Sequence, residues 1–161
     1  MTMTTTKTCS HPFQIDGEPC GMCELLDTTP SGLRMYFFVM YNLSGIQKGI
    51  QAGHAALEYA RKYGHQKQYQ EFIDLDKTFI LLDGGGSRDM VTRVQELFVH
   101  GIQHVIFNEP DLSNSISAIA FIVPEVIYNF DVDAYCEGDL RYSEENYTLF
   151  QYLRSFKLAS N

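Results

Sequence analysis

Arg34-Met-Tyr-Phe-Phe-Val-Met-Tyr41, Asn42-Leu-Ser-Gly45 and Ile46-Gln-Lys-Gly-Ile-Gln-Ala-Gly-His-Ala-Ala-Leu57 follow one another without a break, and their reading decides the fold. The first segment is continuously apolar and aromatic after Arg34, the pattern of a strand buried on both faces. The second is a short polar turn in which Asn42 or Ser44 can cap a helix. From Ile46 to Tyr63 the period becomes helical. Ile46, Ile50, Gly53, Leu57 and Ala60 share one side, the side expected to face the core. Gly49, Ala52, Gly53, Ala55 and Ala56 are small enough to let this helix lie close against a sheet.

Working outward, Gln66 to Asp74 reads as a second, short helix, and Lys77 to Leu82 as a second buried strand. Asp83-Gly-Gly-Gly-Ser87 follows. Its glycines lack the Gly-Lys-Ser/Thr of a phosphate-cradling P-loop and read better as a strand-to-helix turn. Arg88 to His100 is amphipathic, with Val91, Val94, Leu97 and Phe98 on one side, and Gly101 closes it. Gln103 to Phe107 and Ile116 to Val123 are two more strands, joined by the polar loop Glu109 to Ser115 and able to form a hairpin. The order β-α-(α)-β-α-β-β predicts an α/β fold: an open, mostly parallel four-stranded sheet with helices packed on it. Beyond Pro124, scattered acids and aromatics lead to Glu144–Leu158. That segment reads as a helix with Tyr147, Phe150, Leu153 and Phe156 near one face. The chain therefore divides into an arm (1–32), an α/β domain (33–124) and an acidic, aromatic extension with a helix (125–161).

The chain has 161 residues and a formal net charge of −8. From Leu33 to Pro124 eight Lys/Arg face nine Asp/Glu, so the excess acidity sits in the arm and the extension. An extended nucleic-acid track needs a basic footprint and is not expected. No apolar run reaches the ~20 residues of a membrane span. The Thr-rich start resembles no secretory signal, so a cytoplasmic location and no membrane partner are expected.

The arm carries Cys9-Ser-His11 and Cys20-Gly-Met-Cys23. A C-x-x-C turn presents two thiolates to one ion, and zinc takes four tetrahedral N/S ligands. Cys9, His11, Cys20 and Cys23 make a complete set, with Cys136 the alternative to His11. A filled site of this kind is structural and supplies folding energy to a segment with little core of its own. A redox C-x-x-C would follow a strand and open a helix, which this one does not.

Met40-Tyr-Asn-Leu-Ser-Gly45, Ile46-Gln-Lys-Gly-Ile50 and Gln51-Ala-Gly-His-Ala-Ala-Leu57, taken with Phe107-Asn-Glu-Pro-Asp111 and Ser117-Ala-Ile-Ala-Phe121, resemble the type 2 peptidyl-tRNA hydrolase family. The likeness spans roughly Met35 to Val123. It implies that family's fold, a site at the start of the first helix, and release of peptides from tRNA as the ancestral activity. Aligned on Gln51 and His54, the family's catalytic lysine falls at Gly45 and its next lysine at Gln47. Its catalytic aspartate falls at Glu109, and a following threonine at Ser113. Lys48 stands nearby, about 100° around a helix from position 47.

Read without the resemblance, the same region is a pocket. The start of the helix after Ser44-Gly45 exposes N–H groups and the positive end of the helix dipole, which suit phosphate. Gln47, Gln51, His54 and Glu58 form a polar stripe, Lys48 adds a positive charge, and Glu109 and Asp111 lie at a strand end, where α/β folds place ligands. The expected ligand-binding set is Ser44, Gly45, Gln47, Lys48, Gln51, His54, Glu109, Asp111 and Ser113. Three functions fit. The first is binding of a nucleotide or other small phosphate-bearing ligand without efficient turnover. The second is peptidyl-tRNA hydrolysis at the tRNA 3′ end, with Glu109 and Lys48 catalytic. The third is a zinc-stabilised assembly module, with a homo-oligomer as the expected assembly.

Overall fold

The computed structural model describes residues 32–159, so the expected zinc ligands Cys9, His11, Cys20 and Cys23 lie outside the described residues. Four strands, β1 (Leu33–Met40), β2 (Thr78–Gly85), β3 (His104–Glu109) and β4 (Ser115–Pro124), form one sheet in the order β2-β1-β4-β3. Around it lie α1 (Gly45–Tyr63), α2 (Lys67–Glu71), α3 (Ser87–Val99), α4 (Glu125–Tyr128), α5 (Val132–Cys136) and α6 (Glu144–Arg154). A single π-helical turn, Phe72–Asp76, carries α2 toward β2.

The sheet is mixed, which corrects the expectation of a mostly parallel one. β1 and β2 pair in parallel, but β4 inserts between β1 and β3 antiparallel to both. The cause is the short connection from β3 to β4. Five residues, Pro110 to Asn114, can close a hairpin but cannot make the long crossover that a parallel partner requires. Ser113 and Asn114 take left-handed conformations (φ 55° and 57°) to turn the chain, and Asn114 N–H closes the loop on Glu109 O at 3.1 Å. β1, β2 and β3 still run in one direction, so their ends at Met40, Gly85 and Glu109 share one edge of the sheet.

Helices cover both faces. Right-handed crossovers that leave β1 in one direction and return across it put α1 and α3 on opposite sides. On the α1 side, Met35, Phe37, Val39, Val105, Ala118, Ala120 and Ile122 pack with Ala52, Ala55, Tyr59 and Phe72. On the other, Tyr36, Phe38, Met40, Ile119, Phe121 and Val123 pack with Met90 and Leu97 of α3, Ile127 of α4, and Leu149 and Leu153 of α6. The chain after Pro124 thus completes the second core. Its end also lines the outer edge of β2: Asp83 N–H donates to Lys157 O at 2.9 Å, and Ala159 N–H to Leu81 O at 2.8 Å.

Two helices are rotated from their expected faces. On α1 the buried residues are Lys48, Gln51, Ala52, Ala55 and Tyr59, while Ile46, Ile50 and Leu57 are 80%, 51% and 69% exposed. On α3, Met90 and Leu97 are buried and Val91 and Phe98 exposed. The α1 result follows from close packing. Ala52 and Ala55 share one buried cluster with Ala118 and Ala120, and a small-residue side lets a helix lie close against a sheet. Among the described residues, no helix is long and apolar enough to cross a membrane.

Candidate functional site

α1 begins directly beyond the end of β1. Its first turns therefore lie at the sheet edge where β3 also ends. Ser44 is the cap: its Oγ accepts from Gln47 N–H at 3.3 Å, while Gln47 Oε1 accepts from Ser44 N–H at 3.0 Å. This reciprocal box satisfies two backbone donors and engages both side chains with each other. Gly45 and Ile46, the next two residues, are exposed, and no acidic side chain stands in the first turn to neutralise the positive helix end.

The polar centre lies one turn further in. Gln51 is 7% exposed and makes two hydrogen bonds: its Nε2 donates to Glu109 Oε2 at 2.5 Å, and its Oε1 accepts from Ser117 Oγ at 2.7 Å. A carboxylate only accepts, so the amide orientation is forced, and Ser117 must then be the donor. Ser117 is fully buried, with Phe107 O a second acceptor at 3.3 Å. The chain Ser117–Gln51–Glu109 thus fixes a carboxylate at the end of β3. Asp111 N–H reaches its other oxygen at 3.5 Å.

Ser117 reaches this face through a break in the ladder. Phe107 pairs with Ala118 but the next residue, Asn108, pairs with Ile116, so Ser117 is the extra residue of a β-bulge. By alternation it would point with Ile119 and Phe121 toward α3, and the bulge turns it toward α1 instead. Its place in Ser117-Ala-Ile-Ala-Phe121 was visible in the sequence, but its role was not, because a bulge of this kind has no local residue signature.

The other expected residues divide. Lys48 is buried, 6% exposed, one turn before Gln51 and Ala52 on the same side of α1. Packing therefore turns it inward. His54 is exposed, its ring stacked on Phe107 with centroids 4.7 Å apart and planes 19° apart. Glu58, the last member of the polar stripe, pairs with Arg61 at 2.6 Å and takes no part in this centre. Asp111 and Ser113 are exposed in the β3–β4 loop. The structure therefore joins Gln51, Glu109 and Ser117, sets Lys48 and His54 beside them in sequence on α1, and leaves Ser44 and Gln47 to the cap.

The triple glycine does the work of a turn. Asp83 Oδ1 accepts from Gly85 N–H at 2.9 Å and Asp89 Oδ2 from Gly86 N–H at 2.8 Å. A β-carbon on Gly84 would stand 2.3 Å from Met90 Sδ, so that glycine is required by packing. Among the described residues no cluster of His, Cys, Asp and Glu could hold a metal ion, and Cys136, the alternative zinc ligand, is exposed on α5. No protein-family model matches the chain, and no curated protein matches it.

Proposed function

We propose that this protein is a divergent relative of the type 2 peptidyl-tRNA hydrolases that binds a nucleotide or other small phosphate-bearing ligand at the head of α1, with little or no turnover. What carries the reading is the Ser117–Gln51–Glu109 chain, hydrogen-bonded from one member to the next, buried at Ser117 and Gln51, and built on the same helix whose first residues, Gly45 and Ile46, are exposed. Buried polar groups cost stability unless paired. This set is paired and opens on one side to Glu109, an arrangement suited to fixing one carboxylate for a ligand. Gly45 and Ile46 offer backbone N–H groups to phosphate, and the His54–Phe107 stack offers a flat surface to a base. Gly45 carries no side chain where the resemblance implies a catalytic lysine, which favours binding over catalysis.

Hydrolysis is the second reading, favoured by the burial of Lys48 on the side of α1 that also holds Gln51. In it, Glu109 takes a proton from water as the oxygen attacks the ester carbonyl, and Lys48 offsets the charge on the tetrahedral oxygen. A paired experiment separates the two. Adenosine monophosphate is titrated against wild type and His54→Ala, and wild type and Glu109→Gln are assayed on peptidyl-tRNA. Saturable binding that weakens in His54→Ala, without turnover, is the expected result. Robust turnover that collapses in Glu109→Gln would establish the hydrolase instead.

A further inference from the structure

We infer that the cleft between α4, α6 and the β1–β2 half of the sheet is a second binding site, one that takes a medium-chain monocarboxylate with its tail inward. The inference is independent of what the head of α1 binds. The cleft has a volume of about 340 Å³. Its walls include Tyr36 of β1, Ile80 and Leu82 of β2, Ile127 of α4, Leu153 of α6 and Phe156 just beyond it. Protein interiors keep few voids larger than one water, so a cleft of this size set among core side chains is not packing slack. Largely apolar walls with very few polar groups are the form of a small-molecule site.

Charge decides the head group. Among the described residues the only charged side chain lining the cleft is Arg154. It is exposed, in the last turn of α6, with its guanidinium carbon 5.9 Å from the centre of the Phe150 ring. Arg61, Arg93 and Arg141 each pair with a carboxylate of the chain, and Arg154 pairs with none. Leu158, another lining residue, is 67% exposed, so the cleft is open on that side. Glu125 and Asp76 act on the lining residue Tyr128, and they are answered there by Arg34, whose guanidinium lies 3.9 Å over the Tyr128 ring. Arg154 is thus the cation left over. A guanidinium fork matches a carboxylate, and one uncompensated positive charge calls for a monoanion. The walls call for an apolar tail. At about 30 Å³ per small group, the cleft has room for on the order of ten non-hydrogen atoms, the size of octanoate.

The test is calorimetric titration of the full chain with octanoate, octanol and butyrate. Octanoate should bind once per chain, with a Kd on the order of 0.1 mM. Octanol, which has the tail without the charge, should bind about tenfold more weakly. Butyrate, with a much shorter tail to bury, should not bind measurably. Arg154→Gln keeps a good helix former at an exposed position, so Tm should hold. It should weaken octanoate about tenfold and leave octanol unchanged, a split that a general loosening of α6 would not produce. Ile80→Trp, which fills the cleft from β2, should abolish binding of both. No saturable octanoate binding at millimolar concentration overturns the proposal, whether the cleft stays empty or another segment of chain fills it. So does octanoate binding that Arg154→Gln leaves intact, or that survives Ile80→Trp in a folded protein, since either result places the ligand elsewhere.

Discussion

Ser117 has no charge, yet it holds the amide that holds the Glu109 carboxylate at the end of β3. Replacing it with alanine leaves Gln51 Oε1 buried without its donor, which costs about 1–3 kcal/mol. We expect Ser117→Ala to lower the urea midpoint accordingly, and to weaken ligand binding more than Gln47→Ala, whose loss is confined to the helix cap. Ser117→Ala with unchanged stability and binding would show that the chain is not a working unit. Gly84 makes a second residue-scale case. Gly84→Ala puts a methyl group within 2.3 Å of Met90 Sδ and 3.1 Å of Phe38 Cβ. Overpacking of this kind costs about 1–3 kcal/mol, so thermal unfolding should begin several degrees lower than in Gly86→Ala, where the nearest atom is 3.4 Å away. Gln51 and Glu109 were legible in the sequence as polar residues at helix and strand positions that open on one edge. Ser117 was not, since it depends on a slip in strand register.

At the scale of elements, α6 is the clearest gain over the sequence reading. Its aromatic spacing announced a helix that must be covered, and the cover is the sheet itself. Leu149 and Leu153 are buried, Phe156 packs edge-on against Phe38, and Tyr152 Oη donates to Glu96 Oε2 at 2.8 Å. Slow amide exchange is therefore expected across Glu144–Arg154, and rapid exchange throughout it would remove α6 from the core. Burial, reinforced by the Glu96 carboxylate, pushes the Tyr152 phenol well above its usual 10.0. Burial also raises Tyr59, with Tyr63 adding to it. A raised acid of this type favours the folded state at high pH less than at neutral pH. Its contribution is complete below 10.0 and is lost as the pH climbs past that value, because only the unfolded phenol then ionises freely. Urea unfolding at pH 9 and pH 11 should show the fall, and Tyr152→Phe should flatten it.

For the whole molecule, the two sheet edges differ. The outer edge of β2 is partly closed by Lys157 and Ala159, while β3 forms the other edge, with Ile106 40% exposed. Capping one edge with the chain's own end limits open-ended strand pairing. The arm adds a separate expectation from Cys9, His11, Cys20 and Cys23. Protein purified without chelators should carry about one zinc per chain, as one tetrahedral N/S site requires. Cys20→Ser should release it without altering the unfolding of the α/β core. Metal content well below that level would end the zinc proposal.

The sequence by itself determined the order and kind of the main elements from β1 to β4 and the amphipathic character of α6. Those follow from local periodicity: a continuous apolar run, a helical repeat, a glycine-rich turn and a proline stop. It also made the head of α1 the candidate site, because a helix leaves its first N–H groups without intrahelical partners wherever it starts. Tertiary structure alone decided three things. It put β4 between β1 and β3, by pairing the second strand of the hairpin that the sequence allowed antiparallel with β1. It turned Ser117 across the sheet through a bulge that local spacing does not encode. And it chose between two stripes on α1. Ile46, Ile50 and Leu57 are more apolar, but Ala52 and Ala55 are smaller, and against Ala118 and Ala120 the smaller side gives the closer fit. That choice carried Lys48 and Gln51 inward with the alanines and left the isoleucines outside, because periodicity reveals a stripe while only the facing surface selects which stripe is buried.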